Sequence, residues 1–223
     1  MRKTIYTVNV DDYAPAITAL TYPLLTRYAQ KIDADLYTIH TRRWPDWPPV
    51  YEKLQIRDIS ADRGDDWSIY IDSDALVHPD MFDVTDHLSR DTVCHNGSDM
   101  AGNRWRYDEY FRRDGRHIGS CNWFAVASSW CRDLWMPLDL TLDEALTRIY
   151  PIQSELNSVI TPAHLIDDYT LSRNIARYGL KFTTVIDLLK RLGDTGAYMW
   201  HQYTMTTDQK VIEMKKVREA WGV

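Results

Sequence analysis

The chain has 223 residues, a formal net charge of −6, 44% hydrophobic residues and 26% charged residues. These values are ordinary for a globular protein of one domain, and they exclude fibrous and intrinsically disordered classes. The acidic balance argues against a protein that coats nucleic acid by charge alone, although it leaves room for a local basic patch.

The cysteines and the N-terminus indicate the compartment. Cys94, Cys121 and Cys131 lack CxxC spacing, so they form neither a disulfide framework nor a zinc knuckle, and they favour a reducing environment. Polar residues from position 9 onward interrupt the apolar N-terminal run, which is unlike a signal peptide. No stretch approaches the ~18 apolar residues of a membrane span. We therefore expect a soluble, cytoplasmic protein.

The chain opens with a strand, a helix and a second strand. The short β-branched and aromatic run 3–10 predicts a buried strand. Apolar residues at three- and four-residue steps over 15–32 predict a helix, and 34–41 predicts the next strand.

A loop, a helix and a third strand follow. Three prolines within 42–50 indicate a loop, because proline cannot donate to a ladder or lie inside a helix. The pattern over 51–64 predicts a helix that ends at Gly64, and 67–74 predicts a strand. This alternation predicts an α/β fold of the Rossmann-like kind, with a mostly parallel mixed sheet flanked by helices and ligands bound beyond the carboxyl ends of the strands.

The second half is less regular. Its predicted elements are a strand entering a turn at 119–129, two helices at 142–150 and 167–179, a late strand at 180–189 and an amphipathic terminal helix at 207–221. No internal repeat or linker interrupts the chain, which predicts a single domain over residues 1–223.

Two aspartates one residue apart, Asp72 and Asp74, follow the third strand. Such residues are either solvated turn or cap residues, or ligands of a hard cation such as Mg²⁺ or Mn²⁺, which prefers oxygen and leaves positions open for phosphates. Side chains alternate along a strand, so both carboxylates reach one ion only if the backbone turns there.

Two enzyme classes place an Asp-x-Asp pair in this way. The haloacid-dehalogenase-type phosphatases match poorly, because Ala75 and Leu76 stand where their glycine and threonine follow, and about 70 residues precede the motif. The GT-A glycosyltransferases, which depend on a nucleotide-sugar, match at four places. The chain resembles their first strand at 3–13 and their helix, strand and DxD motif at 50–80. It also resembles their family-2-like acidic pair at 166–179 and their late histidine at 198–204.

The resemblance implies a divalent metal, Mn²⁺ or Mg²⁺, bound by Asp72, Asp74 and His201. The resemblance further implies that this ion bridges the diphosphate of the donor and neutralises the charge that develops on it. Lys53 or Arg57 is expected to supply a second cation near the phosphates, or else to be a solvated helix charge.

The acidic pair contains the candidate catalytic base. Asp168 is expected to take the proton from the acceptor hydroxyl, which implies inversion of the anomeric carbon, and Asp167 is its rival. A helix N-cap is the alternative role for either residue. Retention stays open, since retaining GT-A enzymes also place an acidic or amide residue in this region.

The resemblance also implies where the donor binds. The residues expected to contact it are four at the exit of the first strand and one inside the DxD motif, namely Thr7, Asn9, Asp11, Tyr13 and Ser73. Uracil is favoured over guanine, which predicts a UDP-sugar. The four strand-exit residue types are equally at home in an ordinary turn.

The acceptor is predicted least sharply. Asn122 and Trp123 resemble the stretch that shapes the sugar and acceptor pocket, with a buried core strand as the alternative role of Trp123. Arg112 and Arg113 belong to a basic aromatic stretch over 104–117, which either binds phosphates of a DNA backbone or is an exposed helix with internal salt bridges. The acceptor is therefore a saccharide or a hydroxymethylated DNA base, as in viral DNA glycosyltransferases.

These observations predict a metal-dependent enzyme that moves a hexose from a nucleotide-sugar to an acceptor hydroxyl. Residues 1–80 are expected to hold nucleotide and metal, 81–205 the base and acceptor, and 206–223 a terminal helix. The alternatives are a haloacid-dehalogenase-like phosphatase and a non-catalytic carbohydrate-binding module, and the oligomeric state is open.

Overall fold

The computed structural model describes residues 1–97, 106–107, 122–150, 160–202 and 205–223. In this part of the chain the strands are β1 Lys3–Val8, β2 Asp35–Ile39, β3 Trp67–Ile71, β4 Leu76–Val77, β5 Thr92–His95, β6 Phe124–Ser128, β7 Lys181–Thr184 and β8 Met199–Trp200. The α-helices are α1 Pro15–Lys31, α2 Ile56–Arg63, α3 Leu142–Leu146, α4 Ile166–Arg177, α5 Val185–Leu192 and α6 Thr207–Trp221.

Six strands form one mixed sheet in the order β2-β1-β3-β6-β5-β7. The pairs β1 with β2, β1 with β3 and β5 with β7 are parallel, whereas β6 runs antiparallel to both of its neighbours. The predicted mostly parallel sheet is therefore confirmed. The carboxyl ends of β1, β3, β5 and β7 all lie at one edge of the sheet, where β6 begins.

Successive residues of each strand face two separate cores, because side chains alternate across a sheet. On one face, Ile5 of β1 packs in a cluster with Leu25 of α1. On the other face, Tyr6 packs in a cluster with Ile56 of α2 and Ile166 of α4. Helices thus cover both faces, as predicted for an α/β sheet.

Two predicted segments differ from the structure. The segment 180–189 is a strand only to Thr184 and then a helix, because the Thr184 hydroxyl accepts the amide of Asp187 at 3.0 Å and caps α5. The segment 51–64 begins as a 3-10 helix, Pro49–Gln55, and becomes α-helical at Ile56. It ends as predicted at Gly64, whose φ of 69° suits glycine.

The C-terminal part of the chain packs beside the end of β3. Strand β4 pairs antiparallel with β8 in a separate two-stranded ribbon. Helix α6 packs against α1, where Met214 joins Ile17, Leu24 and Leu76 in a small buried cluster. Within the described residues, every helix is too short or too polar to cross a bilayer.

Candidate functional site

The turn after β3 brings the carboxylates of Asp72 and Asp74 together. The amide of Ala75 donates to the carbonyl of Asp72 at 3.0 Å and closes the turn. Its middle is fixed by the hydroxyl of Thr21 in α1, which donates to the carbonyl of Ser73 at 2.6 Å. The backbone reversal that two alternating side chains need in order to converge is therefore present.

The β4–β8 ribbon carries His201 to the same place. Leu76 pairs with Trp200, and beyond them the amide of His78 donates to the carbonyl of Tyr198 at 2.7 Å. Because β4 leaves the DxD turn and β8 ends one residue before His201, the ribbon sets the imidazole beside both carboxylates.

Three ligand atoms face one another across this point. His201 Nε2 lies 3.4 Å from Asp74 Oδ1 and 3.8 Å from Asp72 Oδ2, and each of the three residues offers one ligand atom within 4.8 Å of the other two. Around an octahedral ion with bonds of about 2.1 Å, neighbouring ligand atoms are about 3.0 Å apart and opposite ones about 4.2 Å. The observed separations and the mostly oxygen donor set therefore fit Mg²⁺ or Mn²⁺. Trp123 stacks on the His201 ring, with centroids 5.2 Å apart.

The second oxygen of Asp72 is held by its own strand. The hydroxyl of Tyr70, in β3, donates to Asp72 Oδ1, and the ammonium of Lys53 lies 3.5 Å from the same oxygen. These two contacts hold Oδ1 of Asp72 and leave Oδ2 facing His201. Such supporting hydrogen bonds fix the geometry of metal ligands in proteins.

The second oxygen of Asp74 is held by two other elements. The ammonium of Lys210, in α6, lies 2.6 Å from Asp74 Oδ2, and the hydroxyl of Tyr13 donates to it at 3.0 Å. Burial raises the pKa of the Asp74 carboxyl, but the hydrogen bonds and charges of His201 and Lys210 outweigh burial and hold that pKa below its ordinary value. Asp74 is therefore ionised at neutral pH.

Lys53 is completely buried and joins Asp72 to the acidic pair of α4. Its ammonium lies 2.5 Å from Asp167 Oδ2, donates to the carbonyl of Asn122 and lies 4.2 Å from the ring centre of Tyr70. Burial lowers the pKa of Lys53, yet the charges of Asp167 and Asp72 more than offset this and raise it. Lys53 is therefore paired with Asp72 and Asp167 beneath the site, and it lies outside the described lining of the cavity.

Asp167 and Asp168 lie in the first turn of α4 and differ in their surroundings. Asp167 lines a cavity at this edge of the sheet, and its Oδ1 is buried with no hydrogen-bond partner among the described residues. Burial raises its pKa, which the charge of Lys53 offsets only in part. Asp168 is not among the described cavity-lining residues and accepts the hydroxyl of Tyr107 at 2.6 Å. Neither residue is the N-cap of α4, which is Leu165.

A cavity of about 880 Å³ opens at this edge of the sheet. Of the predicted donor residues, Asp11, Tyr13, Ser73, Asp72 and Asp74 line it. Those that lie outside its described lining are Thr7, Asn9, Lys53 and Arg57. The side chain of Arg57 instead pairs with Asp58 at 3.2 Å.

The proline-rich loop forms one wall of the cavity and is held by Arg42. The Arg42 guanidinium donates to three carbonyls of this loop, to Glu52 at 3.0 Å and to Asp11 at 2.6 Å. Glu52 is fully buried and also accepts the backbone amides of residues 43 and 44. These contacts fix residues 48–50 opposite the end of β1, where all three line the cavity.

The predicted acceptor residues fall into two groups. Asn122 and Trp123 line the cavity at the start of β6, and Asn122 Oδ1 is buried with no hydrogen-bond partner among the described residues. Arg112 and Arg113 lie outside the described residues.

Two residues of the site were not predicted from the sequence. Lys210 lies on the cavity wall although it belongs to the terminal helix, and Tyr70 supports Asp72 from inside β3. A signal for Lys210 exists, because it precedes Met214, Val217 and Trp221 at helical spacing and so shares their apolar face. A lysine on such a face needs a buried partner.

Comparison with known proteins identifies the fold. No protein-family model and no curated protein sequence matches the chain. Among solved structures it is similar to a glycosyltransferase involved in the glycosylation of the major capsid of PBCV-1, with a TM-score of 0.52 and 12% sequence identity. The match covers 96% of this chain and 100% of the other. Together with the mixed sheet and the acidic cluster at its edge, this similarity shows that the chain has the GT-A glycosyltransferase fold.

Proposed function

We propose that the protein is a metal-dependent glycosyltransferase that moves a hexose from a nucleotide-sugar, with UDP-sugars favoured, to an acceptor hydroxyl. The observation that carries the proposal is the convergence of three ligand atoms, from Asp72, Asp74 and His201, at the wall of the large cavity. Two carboxylates and one imidazole beside such a cavity would suit a divalent cation that keeps coordination positions open for the phosphates of a ligand.

Asp72, Asp74 and His201 would hold the Mn²⁺ or Mg²⁺ ion. When bound, this ion supplies Lewis-acid neutralisation of the diphosphate leaving group. The protein supplies the orientation of its ligands: Tyr70 and Tyr13 each donate to the carboxylate oxygen that faces away from His201. Preorganised donors of this kind lower the barrier because they need no rearrangement during the reaction.

Asp167 is the better placed of the two candidate bases. Its carboxylate lines the cavity and its Oδ1 has no hydrogen-bond partner among the described residues, whereas Asp168 lies outside the described lining and accepts the hydroxyl of Tyr107. A carboxyl whose pKa is raised by burial accepts a proton more readily than a solvated one. In an inverting reaction Asp167 would take the proton of the attacking hydroxyl.

A polyhydroxylated ligand suits the unsatisfied oxygens of the cavity. Asp167 Oδ1 and Asn122 Oδ1 are both buried acceptors without a described donor, and sugar hydroxyls are donors. Trp123 adds an aromatic side chain to the same wall. We therefore favour a saccharide acceptor, and a DNA base remains a second hypothesis that depends on Arg112 and Arg113.

The decisive experiment measures the release of nucleoside diphosphate from a panel of sugar nucleotides with and without Mn²⁺. Asp74→Asn should lower Mn²⁺-dependent turnover by about 10²-fold or more, since it removes charge from the site of the ion. Asp80→Asn is the matched control, because its side chain is 81% exposed and lies outside the site. Unchanged turnover in Asp74→Asn would exclude the proposed metal site.

The same assay separates the alternatives. A phosphatase would release inorganic phosphate and be trapped by an aspartyl-phosphate mimic, and a carbohydrate-binding module would show no turnover of any donor with metal present. For a DNA acceptor, neutralising Arg112 and Arg113 should reduce the dependence of DNA affinity on salt concentration.

A further inference from the structure

Lys210 is a buried cation that α6 places on the wall of the site. Only 5% of the residue is exposed, and Met214, one turn later, is fully buried against α1. The helix is therefore held against α1 by its apolar face, which places the Lys210 side chain on the wall of the site. Burying a lysine is costly unless it is paired, and the partner here is Asp74, at 2.6 Å.

The two oxygens of Asp74 have different neighbours. Oδ1 faces His201, whereas Oδ2 contacts Lys210 and Tyr13. A divalent ion held through Oδ1 therefore shares this carboxylate with the ammonium. Two cations on the two oxygens of one carboxylate repel each other by the equivalent of roughly tenfold in affinity, even with the dielectric constant of water.

A count of formal charges shows whether Lys210 strengthens or weakens the attraction of the site for a divalent ion. The side chains joined by the contacts around the site are three carboxylates, from Asp72, Asp74 and Asp167, and two ammonium groups, from Lys53 and Lys210. Their charges sum to −3 + 2 = −1, leaving aside His201 and the other charged residues of the cavity wall, Asp11 and Arg106. Without Lys210 the sum is −2. A divalent ion is attracted more strongly to the second arrangement, whereas a diphosphate anion is then attracted less once the ion is bound.

We propose that Lys210 couples metal and diphosphate: it keeps the affinity for a divalent cation low while diphosphate is absent and raises it when diphosphate is present. This inference rests on the proposed function of the site. The repulsion between the two cations is relieved when an anion lies against both. Because linkage is reciprocal, the metal then raises the affinity for diphosphate by the same factor. The site thus accumulates metal together with its donor.

The test measures Mn²⁺ affinity by electron paramagnetic resonance, alone and with saturating UDP as the diphosphate probe, corrected for the Mn²⁺–UDP complex in solution. In the wild type, UDP should tighten Mn²⁺ binding markedly. Lys210→Met should bind Mn²⁺ alone about tenfold more tightly, and UDP should then tighten it by a factor at least threefold smaller. Lys210→Arg keeps the charge and should resemble the wild type.

Lys216→Met is the matched control on the same helix, because the Lys216 side chain is 63% exposed and pairs with Glu213, three residues away. Lys210→Gln serves if Lys210→Met does not fold, and the same increase in Mn²⁺ affinity is expected of it. Equal or weaker Mn²⁺ binding in a folded neutral variant overturns the coupling alone, provided that the wild type binds Mn²⁺. Absence of Mn²⁺ binding in every protein overturns the metal site of the proposed function as well.

Discussion

Replacement of Lys53 by methionine tests whether the ion-pair cluster beneath the site holds the fold together. Methionine has nearly the shape of lysine and no charge, so the change removes the ammonium with little change in packing. The carboxylate of Asp167 is then left buried, with Oδ1 already lacking a hydrogen-bond partner among the described residues. Asp72 also loses a cation 3.5 Å away.

Breaking a buried pair by removing one partner costs about 3–5 kcal/mol, because an uncompensated charge remains. For a domain of this length each kcal/mol lowers the melting temperature by about 2–4 °C, so Lys53→Met should lower it by about 6–20 °C. Adding Asp167→Asn removes the stranded charge and should recover most of this loss.

The assay is thermal and urea unfolding of the single and double variants, followed by circular dichroism. The control is Lys181→Met, which removes an ammonium paired with Asp91 where the lysine side chain is 72% exposed. Exposed pairs contribute at most about 1 kcal/mol. The reasoning is refuted if Lys53→Met costs no more than Lys181→Met, or if Asp167→Asn makes the single variant less stable still.

Two further predictions concern other parts of the fold. His95 is buried, and burial lowers its pKa to about 4 from 6.5 despite the opposing charge of Asp187, so the unfolded chain takes up a proton first as pH falls. The stability that neutral His95 contributes is complete above pH 6.5 and decreases towards pH 4, by about 3 kcal/mol in all. In urea titrations across this pH range, His95→Gln should make the free energy of unfolding depend less steeply on pH. An unchanged slope would show that other groups cause the pH dependence. Gly97 has a φ of 86°, and an added Cβ would lie 2.7 Å from Thr184 Cβ. Gly97→Ala should therefore lower the free energy of unfolding by more than Gly64→Ala, because Gly64 also has a positive φ but no atom near the added Cβ. Equal losses would show that Thr184 moves aside at little cost.

Local patterns in the sequence predict most of the sheet and its helices. The first three strands, α1 and the end of α2 at Gly64 follow from apolar spacing and turn residues. Strands β4 and β5 were not predicted, because runs of two and four residues are too short for a periodicity to be detected. The late strand was extended too far, since the cap at Thr184 was not recognised as the start of a helix.

The candidate site was predicted in part. The sequence places Asp72 and Asp74 at the end of a strand, and the family resemblance adds His201. What no local pattern contains is the long-range pairing that decides which lysine lines the cavity. Lys53 was expected near phosphates and is fully buried, whereas Lys210, 136 residues from Asp74, lines the cavity. The assignment of Asp167 and Asp168, and the division into nucleotide and acceptor halves, stay predictions.

The β4–β8 ribbon has a consequence for the order in which the molecule assembles. The central sheet is finished when β7 pairs with β5, at Thr184, but the imidazole and the α6 ammonium arrive later in the chain. Among the described residues, two residue pairs and one further backbone hydrogen bond, from His78 to Tyr198, join the ribbon. Short pairings of this kind open at lower free energy than a six-stranded core. Hydrogen exchange should therefore show that the six-stranded sheet stays protected while β8 and α6 separate from it, so that the ability to hold a cation is lost before the protein unfolds.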